Sequence, residues 1–205
     1  MKAKKIFYIV SIFIIIIIFF IIFFSKNMAN IFKTGNNNTS QTIVNDILNI
    51  KSYEIMAEIE IKSNKNENKY IIKQKYISPE YNYQEVIEPE NIKGVIIERD
   101  GNNLKIQNTN LNLTTMFNNY EYLSENVLDL SSFIQECKNE EYKQKENSNE
   151  ILLEISSKKA NPYIAKKILY IDKKTAKPTK MEIKDNNQNT EIHILYTEVK
   201  INNLW

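Results

Sequence analysis

Residues 52–77 read SYEIMAEIEIKSNKNENKYIIKQKYI, and the two-residue period inside them decides the fold. Tyr53, Ile55, Ala57, Ile59 and Ile61 fall on one side of an extended chain, and Glu54, Glu58, Glu60 and Lys62 on the other, the signature of a half-buried strand. NKNEN supplies a turn, after which Tyr70, Ile72 and Tyr76 alternate with Lys69, Lys73 and Lys75. So short a polar connection cannot carry a parallel crossover, so the two strands are expected to pair antiparallel. That pairing would bring Glu58 and Glu60 near lysines of the second strand.

The pattern continues outward in both directions. YNYQEVIE (81–88), GVIIERD (94–100) and NLKIQN (103–108) read as strands, the last two joined at Asp100-Gly101-Asn102, a hairpin turn signal. A helix is expected between about Leu123 and Tyr142, where Leu130, Phe133, Ile134 and Cys137 form an apolar stripe at helical spacing. Strands resume at EILLEIS (150–156), AKKILYID (165–172), TKMEIKD (179–185) and TEIHILYTEVKIN (190–202). In the last of these Ile192, Ile194 and Tyr196 have one parity and Val199 and Ile201 the other, which a bulge near Thr197 and Glu198 would reconcile. Upstream, SQTIVNDILNIKS (40–52) reads as a short helix capped by Ser40, with Ile43, Val44, Ile47 and Ile50 on its buried side. The class is α+β: a strongly curved, half-open antiparallel sheet or barrel closed by helices.

The amino terminus sets the compartment. Residues 6–24 are almost wholly Ile, Phe and Val, and about 20 such residues suffice for a helix to cross a bilayer. A secretory signal has a shorter apolar run, about 7–15 residues, and a small-residue cleavage site; the following FFSKNMAN has none, so the segment is expected to stay as an anchor. Lys2, Lys4 and Lys5 precede it and favour a cytoplasmic amino terminus. The expected organisation is therefore a cytoplasmic end (1–5), a single-pass transmembrane anchor (6–24), a linker (25–40) and one extracytoplasmic domain (41–205). No Cys follows the apolar run to take a lipid.

Composition excludes several classes of function. With 27 basic and 25 acidic residues interspersed and a net charge of +2, there is no basic stripe for nucleic acid. Cys137 is the single cysteine, which rules out an intrachain disulfide and a cysteine metal cluster. His193 is the single histidine, between two isoleucines and without a nucleophile motif around it. No glycine-rich phosphate loop occurs, since Gly35, Gly94 and Gly101 are isolated. No catalytic residue, cofactor or metal is expected. The strongest carboxylate group is Glu85, Glu88 and Glu90. Glu85 and Glu88 have opposite strand parity and Pro89 follows, which favours a structural or protein-binding role over catalysis.

The stretch YISPEYNYQEVIEPENIKG (76–94) carries the remaining interest, with Pro79 and Pro89 bracketing one strand and Gly94 opening the next. It reads as an edge-strand pair with a proline-set corner. Tyrosines recur in and around the strands, Tyr70, Tyr76, Tyr81, Tyr83, Tyr170 and Tyr196 among them. They would either line a pocket or interface or fill the barrel. Tyr76, Tyr81, Tyr83 and Glu88 are the candidate binding surface.

KYIIKQKYISPEYNYQEVIEPENIKG (69–94) resembles the lipoprotein carrier (LolA-like) superfamily, and is similar more narrowly to the germination lipoprotein GerS and related clostridial proteins. DILNIKSYEIMAEIEI (46–61) and KILYIDKKTAKPTKMEIKD (167–185) extend the resemblance over about residues 41–202. It implies a curved, half-open antiparallel sheet closed by helices. Carrier members shield acyl chains in the concave face; the germination branch implies a noncatalytic partner of an N-acetylmuramoyl-L-alanine amidase in spore cortex processing. The chain departs from that branch in lacking the lipobox cysteine, an apolar helix standing in its place.

The expected function is thus a membrane-tethered, noncatalytic binding protein supporting a cell-wall amidase in sporulation or germination. The alternatives are a lipid or acyl-chain carrier or sensor using the concave face, and a hydrolase built from scattered carboxylates.

Overall fold

A computed structural model describes residues 39–62, 66–120, 126–156 and 163–202. The described residues from Ile43 onward form one compact unit. The expected anchor and nearly all of the linker lie outside the described residues; among the described residues no helix is long and apolar enough to cross a membrane.

Residues 39–48 are helical (α1), so Ser40 lies inside the helix rather than capping it. The alternation in 52–77 produces β1 (Ser52–Lys62) and β2 (Glu67–Ile77), paired antiparallel with Tyr53 opposite Tyr76 and Ala57 opposite Ile72. Glu60 meets Lys69 at 2.7 Å as expected, whereas Glu58 stands opposite Ile71. It is Glu54 that reaches the lysines of β2, Lys73 at 3.1 Å and Lys75 at 3.3 Å.

β3 (Tyr81–Glu88), a single 3-10 turn (Glu90–Ile92), β4 (Val95–Asp100) and β5 (Asn103–Asn108) follow. Gly94 opens β4 at φ +75, where a Cβ would lie 2.2 Å from Thr109 Oγ1; left-handed backbone and crowding together require glycine there. Two short strands do not show in the sequence pattern: β6 (Leu113–Phe117) and β7 (Lys143–Glu146), every residue of both exposed. Between them lies α2 (Leu130–Asn139), shorter than expected because Asp129 caps its amino end, accepting from Ser131 N. β8 (Glu150–Ser156), β9 (Lys166–Asp172), β10 (Lys177–Lys184) and β11 (Thr190–Asn202) complete the chain.

The strands form one antiparallel sheet in the order β6-β5-β4-β3-β2-β1-β11-β10-β9-β8-β7. Its ends, β6 and β7, do not pair with each other, so the sheet is open. β3 and β4 are interior strands, not the edge pair the prolines suggested, because β5 and β6 continue the sheet beyond them. In β11 a bulge falls where parity demands: the β1 register shifts opposite residues 197–200, with Glu198 at φ 51.

One side of the sheet carries the core. Ile43, Val44 and Ile47 from α1, Ile50 just after it, and Leu130, Phe133, Ile134 and Cys137 from α2 pack with Tyr53, Ile55, Ala57 and Ile59, all buried. Burying each such side chain contributes on the order of 1.5–3 kcal/mol. Cys137 behaves as a small hydrophobe, burial pushing its thiol up to about 12. Lys167, 6% exposed on the same side of β9, is paired with Glu136 of α2, fastening helix to sheet.

Candidate functional site

β-Sheet parity is set by β2, where Ile72, Gln74 and Tyr76 are buried. The register carries that inner face to Asn82 and Gln84 of β3 and on to Ile97 and Arg99 of β4. Polar residues therefore stand where the rest of the sheet is apolar, and they meet the start of α2. Between them lies a cavity of about 350 Å³ whose walls are Tyr76, Pro79, Asn82, Gln84, Ile97 and Arg99 from the sheet side, and Asn126, Asp129, Ser131, Ser132, Gln135 and Asn139 from the helix side.

Asp129 is the fixed point of this cavity. Its Oδ1 accepts from Tyr53 Oη at 2.5 Å and Ser131 N at 3.3 Å, and its Oδ2 from Ser131 Oγ at 2.7 Å. The Asn82 carboxamide fits its neighbours in one orientation, the nitrogen donating to Asp129 Oδ2 at 3.0 Å and to Ser131 Oγ at 2.9 Å, the oxygen accepting from Arg99 Nη2 at 3.0 Å. Burial raises the Asp129 carboxyl above its ordinary range, and the Tyr53 and Ser131 donors pull it back. Burial, then the Asp129 charge, holds the Tyr53 phenol well above its usual value. The segment before α2 is stitched down by Asn126 Nδ2 donating to Gln84 Oε1 at 2.9 Å and Gln74 Nε2 donating to Leu128 O at 2.8 Å. Gln74 was the available sequence signal: a polar residue in phase with Ile72 and Tyr76.

The four expected surface residues divide between the two faces. Tyr76 is buried, its ring 5.4 Å from that of Tyr53, and belongs to the cavity. Tyr81 and Tyr83 are half-buried on the opposite, outer face, where Tyr81 Oη donates to Glu98 at 3.1 Å and Tyr83 Oη to Glu85 at 2.8 Å. Burial first, then the neighbouring carboxylates, raises both phenols. Lys75 Nζ sits 5.8 Å from the Tyr83 ring centroid, and Ile77, opposite Tyr81, is 57% exposed. Glu88 is exposed at the end of β3. A register shift places Glu88 opposite Ile71 and Val86 opposite Ile72, so Ile87 is an extra residue and Glu85 and Glu88 share the outer face after all. The parity argument that separated them fails at that bulge.

His193 lies opposite Glu60 and Glu182 in the sheet, an ordinary ladder position. Among the described residues no group of three or more His, Cys, Asp or Glu is placed to hold a metal ion.

A family model of YdcC-like sporulation proteins matches residues 7–204. The chain belongs to this family. No curated protein sequence matches it significantly. Among solved structures, this YdcC-like chain is similar to the GerS lipoprotein in its complex with the CwlD amidase from Clostridioides difficile, at 25% identity and TM-score 0.50 over 80% of this chain and 94% of that one. A conserved protein from Thermus thermophilus shares the fold at 12% identity and TM-score 0.53, over 81% of this chain and 89% of that one. A LolA superfamily protein from Nitrosomonas europaea is a more distant neighbour, at 13% identity and TM-score 0.41 over 80% and 94% of the two chains. The resemblance to GerS-related proteins is thus met again among the structural neighbours of this YdcC-like chain.

Proposed function

We propose that this chain is a noncatalytic binding protein, held at the extracytoplasmic side of the cell membrane by residues 6–24, that supports an N-acetylmuramoyl-L-alanine amidase in sporulation or germination. The observation that carries the reading is the likeness to GerS over 94% of that chain, because GerS is there in complex with an amidase. Membership of a sporulation protein family supports the setting.

The filling of the inner face favours a protein partner over an acyl chain. Ile, Leu and Phe side chains from both helices occupy it, and the cavity that remains is walled largely by amides, hydroxyls and Arg99. An acyl chain there would strip water from polar groups without replacing their hydrogen bonds. The partner surface we assign is the outer face around Tyr81, Tyr83 and Glu88, where exposed Ile77 adjoins the two phenols, a mixture of aromatic bodies and polar tips favoured at interfaces. The test is binding between the full-length chain in detergent and the amidase from the same organism, measured for wild type and for Tyr81→Ala/Tyr83→Ala. Saturable binding weakened tenfold or more by the double variant is expected from the loss of two interface aromatics. Absence of wild-type binding would overturn the partner reading, and unchanged binding by the variant would overturn the surface.

A further inference from the structure

Arg99 is the single arginine among 27 basic residues, and it is placed unlike the lysines around it. Lysines of β2, β5 and β9 such as Lys69, Lys73, Lys105 and Lys166 pair with carboxylates. Arg99 points to the inner side, by its register with Asn82 and Leu104, and lines the polar cavity. Its hydrogen bond goes to the neutral Asn82 carbonyl oxygen, and its charge acts on Asp129 across that amide, lowering the carboxyl somewhat, without a direct ion pair between them. Asp129, the one carboxylate in the cavity wall, is already saturated by Tyr53, Ser131 and Asn82. A guanidinium presents five donors in a planar fork that matches a carboxylate, and most of that fork is uncommitted here.

A second observation comes from α2. Ser132 is 8% exposed, lines the same cavity and makes no hydrogen bond through its hydroxyl, and Gln135, also in the wall, makes none through its amide. Both side chains line the space that Arg99 borders, Gln135 from a half-buried position, with polar groups free to meet a bound molecule. Tyr76, Pro79 and Ile97 give the cavity an apolar side. The combination is a cation for a carboxylate, amide and hydroxyl groups for a peptide unit, and a small apolar wall for a side chain.

We propose that this cavity binds the free carboxyl terminus of a short peptide, with Arg99 taking the carboxylate as a two-pronged pair, Ser132 and Gln135 meeting the adjoining amide, and Tyr76, Pro79 and Ile97 receiving a small terminal side chain. The site is separate from the outer face assigned to the protein partner and does not rest on that assignment.

Because Arg99 is the only arginine, its side-chain Nε–H nuclear magnetic resonance is a unique reporter in the full-length chain. Titration with N-acetyl-alanyl-alanine should shift that resonance saturably. The carboxamide of the same peptide should bind about tenfold more weakly or worse, as expected when a charge-assisted pair is lost. Arg99→Gln, read by calorimetry with folding checked by circular dichroism, should abolish the preference for acid over amide, and Gln135→Ala, at a half-exposed position, should weaken the acid form several-fold. Equal affinity for acid and amide, an Arg99 resonance that stays put with both, or full preference retained in Arg99→Gln would each overturn the assignment.

Discussion

Tyr53 Oη donates to Asp129 Oδ1 at 2.5 Å, joining the first strand to the residue that caps α2. Ser131 N donates to the same phenol oxygen at 3.0 Å, so one hydroxyl serves the helix start both as donor and as acceptor. Tyr196, equally buried on β11, has a hydroxyl with no hydrogen-bond partner. The two tyrosines are chemically identical and should respond oppositely to loss of the hydroxyl. Tyr53→Phe leaves a buried carboxylate short of a donor and should cost about 1–3 kcal/mol in urea unfolding. Tyr196→Phe removes an unsatisfied group and should be neutral or stabilising by up to about 1 kcal/mol. Equal losses for the two would contradict the network described.

Glu154 should make the fold sensitive to acid. It is 8% exposed and lies 3.0 Å from Lys145 and 3.3 Å from Lys166. The hydrogen bond from Lys145, joined by Lys166, holds its carboxyl below the ordinary value, which is near about 4.3 in an unfolded chain. A lowered folded-state value means that the ion pairs contribute fully above the unfolded value and lose their contribution as pH falls through the folded one. Glu154→Gln should therefore be less stable than wild type by about 1 kcal/mol at pH 7. The gap should close as both are taken below pH about 4. A gap that persists unchanged into that range would show that packing, not charge, holds this position.

Glu198 is exposed at φ 51, where the last strand bulges against β1. An L-residue pays about 1–2 kcal/mol for left-handed backbone, offset for glycine by the entropy of its unfolded chain. Glu198→Gly should leave the melting temperature unchanged or raised, while Glu198→Val should lower it, because β-branching adds strain to the left-handed cost that glutamate already carries. If valine were tolerated as well as glycine, the bulge would not be held at this residue.

Period and punctuation carried most of the architecture in readable form. The long strands, the α2 stripe of Leu130, Phe133, Ile134 and Cys137, the Gly94 and Gly101 turns and the β11 bulge all follow from local pattern. β6 and β7 do not, because neither LTTMF nor KQKE buries a residue, and a strand without a buried face has no alternation to read. The shared face of Glu85 and Glu88 depends on one inserted residue, Ile87, which leaves no mark in a single sequence. The cavity was half legible: Gln74, Gln84 and Arg99 are polar residues in phase with core positions, but their meeting with Asp129 is made by tertiary packing between distant segments.

The most direct test of the partner assignment is purification of the full-length chain in mild detergent from membranes of sporulating cells, with co-purifying proteins and lipids quantified by mass spectrometry. The account predicts that the chain fractionates with membranes and brings down a wall amidase in near-stoichiometric amount, without enriched lipid. Recovery with bound lipid and no amidase would contradict it and make the inner face of the sheet the functional site.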